Sequence, residues 1–104
     1  MKPANSNTEA LVGLGPTRIV MRDDRVFEGT PIEIVRDMKF LAFGVDHLDL
    51  DGYITWVAGN ARKFEGVFLE TEGPTTEERA RRLVEAMLRT GLAAVCHGCF
   101  FCHG

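Results

Sequence analysis

The fold is decided by residues 75–91, TTEERARRLVEAMLRTG, which predict one amphipathic helix with both of its ends marked. Thr75 and Glu78 have the spacing of a capping box, in which each side chain accepts a hydrogen bond from the other residue's backbone N–H. Gly91 stands where a left-handed glycine commonly ends a helix. The apolar residues that recur at helical spacing are Ala80, Leu83, Val84, Met87 and Leu88. The other face is predicted to be solvated, with Arg79, Arg81, Arg82 and Arg89 paired to Glu77, Glu78 and Glu85.

Two further helices are predicted upstream. The first begins at Thr30-Pro31-Ile32-Glu33, a capping box with proline at the first helical position, and is expected to end in a left-handed cap at Gly44. The second begins near Asp49 or Asp51 and ends at Gly66. Their apolar stripes are Ile34, Val35, Met38 and Leu41 in the first, and Leu50, Tyr53, Ile54, Val57, Ala61 and Phe64 in the second.

Short β-prone runs predict a three-stranded sheet. Residues 17–21 and 25–28 flank the turn-forming residues 22–24 as a hairpin, and residues 67–71 are expected to add the third strand. The predicted order is therefore ββ-α-α-β-α. The expected fold class is α+β, with three helices covering a small sheet and a flexible C-terminal tail.

Length and composition indicate one small globular domain. The chain has 104 residues, of which 45% are hydrophobic and 26% charged, so it has room for a single core. We expect a flexible lead-in over residues 1–15 and a folded domain over residues 16–92. A linker and a Cys/His-rich segment follow over residues 93–104.

Charge and hydropathy exclude two classes of partner. A net charge of −3 supplies no basic patch for nucleic acid. No apolar run approaches the roughly 18 residues that a membrane span requires, and the polar first residues lack the apolar region of a secretory signal. We therefore expect a cytoplasmic protein that binds neither nucleic acid nor membrane.

The placement of the cysteines is the main anomaly. All three lie between Cys96 and Cys102, within the segment CHGCFFCHG of residues 96–104, and His97 and His103 lie there too. Cysteines that staple a small fold are spread through it so that they close loops, whereas these close almost none. The globular part is therefore expected to melt at about the same temperature with or without this segment.

The rest of the chain shows no catalytic pattern, and we do not expect an enzyme. It has no nucleophile with a plausible histidine partner, no glycine-rich phosphate loop and no HExxH motif. The polar cluster of residues 46–52 does not match an EF-hand, and capping aspartates with a surface His47 are the favoured interpretation. Trp56 lies off the apolar stripe of the second helix; core packing is favoured over an exposed anchor for a partner.

Three metal or cofactor chemistries fit parts of the cysteine segment. Cys96, Cys99 and Cys102 with His103 or His97 are sufficient ligands for one Zn²⁺ or Cu⁺ ion, although consecutive ligands give a fold no support. The same Cys-x2-Cys-x2-Cys run lacks the fourth cysteine of a ferredoxin cluster. Residues 99–103 also fit the c-type haem attachment pattern, but the chain shows no export signal or haem pocket.

The layout resembles that of precursors of ribosomally synthesised and post-translationally modified peptides. In that class, tailoring enzymes recognise an N-terminal leader and rewrite a short C-terminal core. The resemblance implies a leader over residues 1–95 and a core over residues 96–104, a protease site at Ala93-Ala94-Val95, and an exporter for the product. The core residues that it implies are modified are Cys96, Cys99, Cys102, His97 and His103.

The composition of the core narrows the modification that the resemblance implies. Because no Ser or Thr follows Thr90, lanthionines are excluded. Heterocyclisation to thiazoline, oxidation to an oxazolone with a thioamide, and radical thioether formation remain. An iron-dependent oxidase of the methanobactin-related kind is favoured as the partner, and the product would chelate copper or zinc, while the precursor itself needs no cofactor. The sheet edge at residues 67–71 or in the hairpin is the expected dock, by strand addition.

Overall fold

The computed structural model describes Gly13 and residues 15–95. Within them the chain is a mixed α+β domain built from a three-stranded sheet and three α-helices. The strands are β1 (Thr17–Met21), β2 (Val26–Gly29) and β3 (Ala93–Val95), and the helices are α1 (Pro31–Leu41), α2 (Leu50–Asn60) and α3 (Thr76–Thr90). A π-helical turn, Ala61–Glu65, continues directly from α2.

The predicted hairpin is confirmed. β1 pairs antiparallel with β2, with Ile19 opposite Phe27. The turn between them closes through Met21, whose N–H donates to the carbonyl of Arg25 at 2.8 Å, and through Asp24, which has a left-handed backbone at φ 73°. Asparagine and aspartate tolerate this conformation better than other non-glycine residues, so the acidic turn residues suit the loop.

The predicted third strand is wrong in its position. β1 lies at the centre of the sheet, and its second neighbour is β3, antiparallel, with Ile19 opposite Val95. The order of elements is therefore ββ-α-α-α-β. Residues 67–71 alternate in burial, with Leu69 and Thr71 buried, but they have no regular secondary structure and pack against the domain through these side chains. β3 occupies the sheet position that this segment would have needed.

The helix N-termini follow the predicted chemistry. Thr30 and Glu33 form a reciprocal capping box at α1, and the Thr75 hydroxyl accepts from the N–H of Glu78 at 3.0 Å at α3. Gly91 ends α3 with a left-handed backbone, as expected. The left-handed Gly44 follows α1 instead of capping it, because that helix already ends at Leu41.

One core unites the helices and the inner face of the sheet. Its fully buried members come from β1, α1, α2, α3 and the loop before α2, so no element is packed independently of the others. The largest are Ile19, Ile34, Val35, Val45, Ile54, Leu83, Val84 and Met87. Most of the predicted stripe residues of α1 and α3 are buried, with Leu41 at the end of α1 47% exposed.

Acid sensitivity is expected from Glu78. Hydrogen bonds from Arg81 and Arg82 lower the pKa of this carboxyl group from 4.5 to about 2. Because the folded-state pKa lies below the unfolded one, the stabilisation is present above pH 4.5 and is lost as the pH falls towards 2. Between pH 4.5 and 2, the free energy of unfolding measured with a denaturant should fall less steeply with pH in Glu78→Gln than in the parent. Glu77→Gln is the control because Glu77 is exposed; its free energy of unfolding should depend on pH as that of the parent does. Equal pH dependence in the two variants would contradict the assignment of the acid sensitivity to Glu78.

Candidate functional site

The predicted core residues lie just beyond the last strand. Cys96, His97, Cys99, Cys102 and His103 fall outside the described residues, as do the ligands of the alternative metal site. Val95, the residue before Cys96, pairs with Ile19 of the central strand β1. The cysteine segment is therefore joined directly to a sheet strand, and not to a linker.

The predicted protease region proves to be β3 itself. The expectation that 93–95 are a joint outside the fold is wrong, because Ala93 is 5% exposed and contributes to the core. Ala94 is exposed and Val95 is half-buried. A protease needs an extended, accessible backbone, so cleavage within these three residues requires β3 to leave β1 first. That cleavage occurs at these residues stays a prediction.

An open apolar groove lies at the other end of β3. It has a volume of about 450 Å³, within the usual range for ligand-binding clefts. Leu92, the residue immediately before β3, contributes to its wall, and Met21 at the end of β1 lies there too. Met38 of α1 and Met87 of α3 reach it from the core side. The groove is therefore formed where the base of β3 meets the helices.

Aromatic residues of α2 form one side of this groove. The rings of Tyr53 and Trp56 stack with their centroids 5.8 Å apart. Tyr53 is buried, and burial raises its pKa to about 12, whereas Trp56 is 41% exposed. The favoured prediction of core packing for Trp56 is thus only half correct, because its ring covers Tyr53 and also faces the groove.

Phe64 is a groove residue that the sequence pattern misplaced. Its spacing from Tyr53 and Ala61 predicted a buried position, but its side chain is 70% exposed. The helix changes to the π-helical turn at Ala61, and a wider turn shifts every following residue around the axis. Ala61 remains buried, and Phe64 is carried to the rim of the groove, with the ammonium of Lys63 5.4 Å from the centre of its ring.

Charged residues around the groove neutralise one another. Arg22 forms an ion pair with Glu65 at 3.0 Å, and Arg25 forms one with Asp23 at 3.4 Å. Arg22 also donates from Nε to the carbonyl of Gly91 at 3.4 Å, so the hairpin turn is tied to the end of α3. The charged residues that line the groove are thus two cations and two anions that pair with one another.

The acidic cluster before α2 has a structural role. Asp49 caps α2, since its carboxylate accepts from the N–H of Gly52 at 2.7 Å. Asp51 accepts from the Thr76 hydroxyl and from Arg79, and these two contacts lower its pKa. His47 is exposed, as expected. No group of three or more His, Cys, Asp or Glu side chains that could hold a metal ion occurs within Gly13 and residues 15–95.

Comparison with known proteins gives no match: none of the family models, curated proteins or solved structures compared with the chain resembles it significantly. Among the helices of the described residues, none combines the length and the apolar character needed to cross a membrane.

Proposed function

We propose that the protein is a precursor peptide, in which an α+β leader presents the Cys-His-Gly core of residues 96–104 to cysteine-modifying enzymes. One observation supports this most. The sheet strand β3 includes Ala93–Val95, and all three cysteines of the chain follow within the next seven positions. The core formed by residues 15–95 contains no cysteine, since all three cysteines follow Val95 in the sequence.

A folded leader gives such a core a fixed starting point. An enzyme that binds the folded domain receives the cysteines within a short tether, which raises their effective concentration at its active site. The sheet has two edges within the described residues, β2 and β3. β3 is the better dock for strand addition because its own chain continues into Cys96. The earlier candidate edge at residues 67–71 is not a strand and drops out.

The chemistry expected on the core is cysteine-directed. Heterocyclisation joins a thiol sulfur to the preceding carbonyl carbon and releases one water. Oxidative conversion of one cysteine and its preceding amide to an oxazolone with a thioamide would remove four hydrogen atoms, and the dioxygen used by an iron-dependent enzyme would be reduced to two waters. Either product leaves sulfur and imidazole groups suited to copper or zinc, so metal binding would follow from modification. The precursor would be made in the cytoplasm, with cleavage and export of the product afterwards, and it would not itself be an enzyme.

Co-expression followed by intact mass spectrometry tests this. With the enzymes encoded beside the gene present, the fragment containing residues 96–104 should change in mass, and fragments from residues 15–95 should not. A variant with all three cysteines changed to Ala should keep its unmodified mass, whereas the matched change of surface residues Phe40 and Phe43 to Ala should not block the reaction. An unchanged core in the presence of a competent oxidase or cyclase would refute the precursor assignment.

The runner-up is a small metal-binding module that uses the unmodified tail. Three thiols and two imidazoles within residues 96–104 favour it. In that case the purified, unmodified protein should retain roughly one Zn²⁺ or Cu⁺ per chain and lose it when the cysteines are changed to Ser. Elemental analysis together with the mass measurement separates the two functions, because only this one requires stoichiometric metal on an unmodified chain.

A further inference from the structure

We propose that the groove beside Trp56 is the binding site for the chain's own Phe100-Phe101 pair. The tail would fold back from the end of β3 and place both rings against the aromatic wall. This contact belongs to the unmodified chain, and it stands whether or not an enzyme later acts on the cysteines. Docking would hold the thiols that flank the pair, Cys99 and Cys102, against the leader until a partner displaces them.

The groove calls for an apolar occupant. Its wall is the Tyr53–Trp56 stack, its inner side is formed by buried Met38 and Met87, and Phe64 stands at the rim with 70% of its surface exposed. Large apolar side chains left together at a surface usually mark a binding site. An aromatic ring suits this wall particularly, because offset or edge-to-face contact with Trp and Tyr adds about 1 kcal/mol beyond the buried area.

The tether is short enough for this contact. Leu92 lines the groove, and Val95 lies three residues farther along the chain, roughly 10 Å away at the rise of a β-strand. Five more residues lead from Val95 to Phe100, enough to span about 17 Å when extended. Gly98 lies in between and permits the tight reversal that the path requires. A tether of this length gives an effective concentration of roughly millimolar, so even weak intrinsic affinity populates the docked state.

Charge also favours the tail as the occupant. Residues 96–104 contain no Asp, Glu, Lys or Arg, and the charged residues that line the groove already pair with one another, Arg22 with Glu65 and Arg25 with Asp23. A neutral segment therefore binds without desolvating an unpaired charge. The other stretch of chain outside the described residues, 1–12 together with Leu14, offers Leu11, Val12 and Leu14 but no aromatic ring. Its aliphatic side chains fit the Tyr53–Trp56 wall less well.

Fluorescence gives a direct test because Trp56 is the only tryptophan. In the full chain, changing Phe100 and Phe101 to Ala should shift Trp56 emission to longer wavelength and increase its quenching by acrylamide. The matched control changes Leu11 and Val12 to Ala, and it should leave the emission of the parent unchanged. The emission of the parent should also be independent of dilution, since the contact is intramolecular.

Thiol reactivity gives a second, independent readout. With a soluble aromatic disulfide, Cys99 and Cys102 should react roughly threefold faster in the Phe100/Phe101 variant, as expected when most molecules are docked. Phe64→Ala should give a similar acceleration, and because that side chain is exposed the fold should be unaffected. Each tail cysteine changed singly to Ser assigns the rates to the individual thiols.

Three results would overturn tail docking. Identical Trp56 emission in the parent and the Phe100/Phe101 variant would show that the tail does not occupy the groove and would point to a separate protein as its occupant. A shift caused by the Leu11/Val12 variant instead would identify residues 1–12 as the occupant. A shift that disappears on dilution would indicate a second copy of the chain. None of these results bears on the mass change that tests the precursor function, so the two can fail separately.

Discussion

Arg79→Met should cost about 2–3 kcal/mol of stability, far more than a change of the exposed Arg89 on the same helix. The guanidinium makes three kinds of contact: Nε donates to the carbonyl of Thr71 at 3.0 Å, Nη1 to the Asp51 carboxylate at 2.9 Å, and Nη2 to the Thr55 hydroxyl at 2.9 Å. Methionine keeps much of the apolar stem but leaves the buried Thr71 segment without its donor. The cost of an orphaned buried acceptor and a broken, partly buried ion pair accounts for the estimate.

The melting temperature measures this loss. A domain of this size should melt roughly 10–20 °C lower for such a change. Arg89→Met is the matched control, because Arg89 forms one ion pair with Glu85 at 3.5 Å and is 59% exposed; it should cost under about 0.5 kcal/mol. Arg79→Lys should fall in between, since an ammonium keeps the charge but cannot reach three acceptors in different directions. Similar melting temperatures for Arg79→Met and Arg89→Met would show that the contacts of Arg79 with Thr71, Asp51 and Thr55 contribute little.

Arg79 also shows where sequence reasoning stops. Its position among Arg81, Arg82 and Arg89 predicted a solvated arginine on a charged face, and Arg81 and Arg82 do pair with Glu78 at 2.7 and 2.9 Å. Arg79 differs because its partners lie outside α3, in α2 and in the segment at Thr71. Which arginine faces a neighbouring element depends on tertiary packing, and no local pattern encodes that.

Local signals predicted the fold well where they act alone. The caps at Thr30 and Thr75 and the left-handed Gly91 involve hydrogen bonds within a few residues, so their spacing in the sequence is sufficient. The third strand was harder to predict, because two segments could have occupied the same position beside β1. Residues 67–71 have the stronger β pattern, yet Ala93–Val95 pairs with β1, because the end of α3 at Gly91 delivers it beside that strand. The β propensity of residues 67–71 therefore mattered less than the position in which the end of α3 leaves residues 93–95.

The candidate site was predictable only in part. The sequence itself shows that all three cysteines follow the glycine that ends the last helix, and this position identified residues 96–104 as the candidate functional segment. The groove was not found in this way, because its exposed aromatic residue Phe64 leaves the helical stripe only when the π-helical turn changes the phase. A lone Trp56 off the stripe was the one signal that pointed towards it.

Truncation after Leu92 should destabilise the domain by about 3 kcal/mol, whereas truncation after Val95 should cost about 1 kcal/mol or less. The first removes β3, with its ladder to β1 and the buried Ala93, and it uncovers the side of Ile19 that Val95 occupies. Lost backbone hydrogen bonds at roughly 1 kcal/mol each and partial exposure of an isoleucine give this figure. The second removes only the Cys/His segment, and its small cost is that of the docked phenylalanines.

Thermal unfolding of the two truncated chains beside the parent decides where the fold ends. If the folded domain stopped at residue 92, as the sequence predicted, both chains would melt with the parent. If the cysteines held the fold together, removing residues 96–104 would itself cause the large loss. A large difference in melting temperature between the two truncated chains, with only the shorter one unstable, would show that β3 belongs to the folded domain and that residues 96–104 contribute little to its stability. The same difference would mean that a cut after Val95 leaves the domain folded, whereas a cut before Ala93 removes a strand of its sheet.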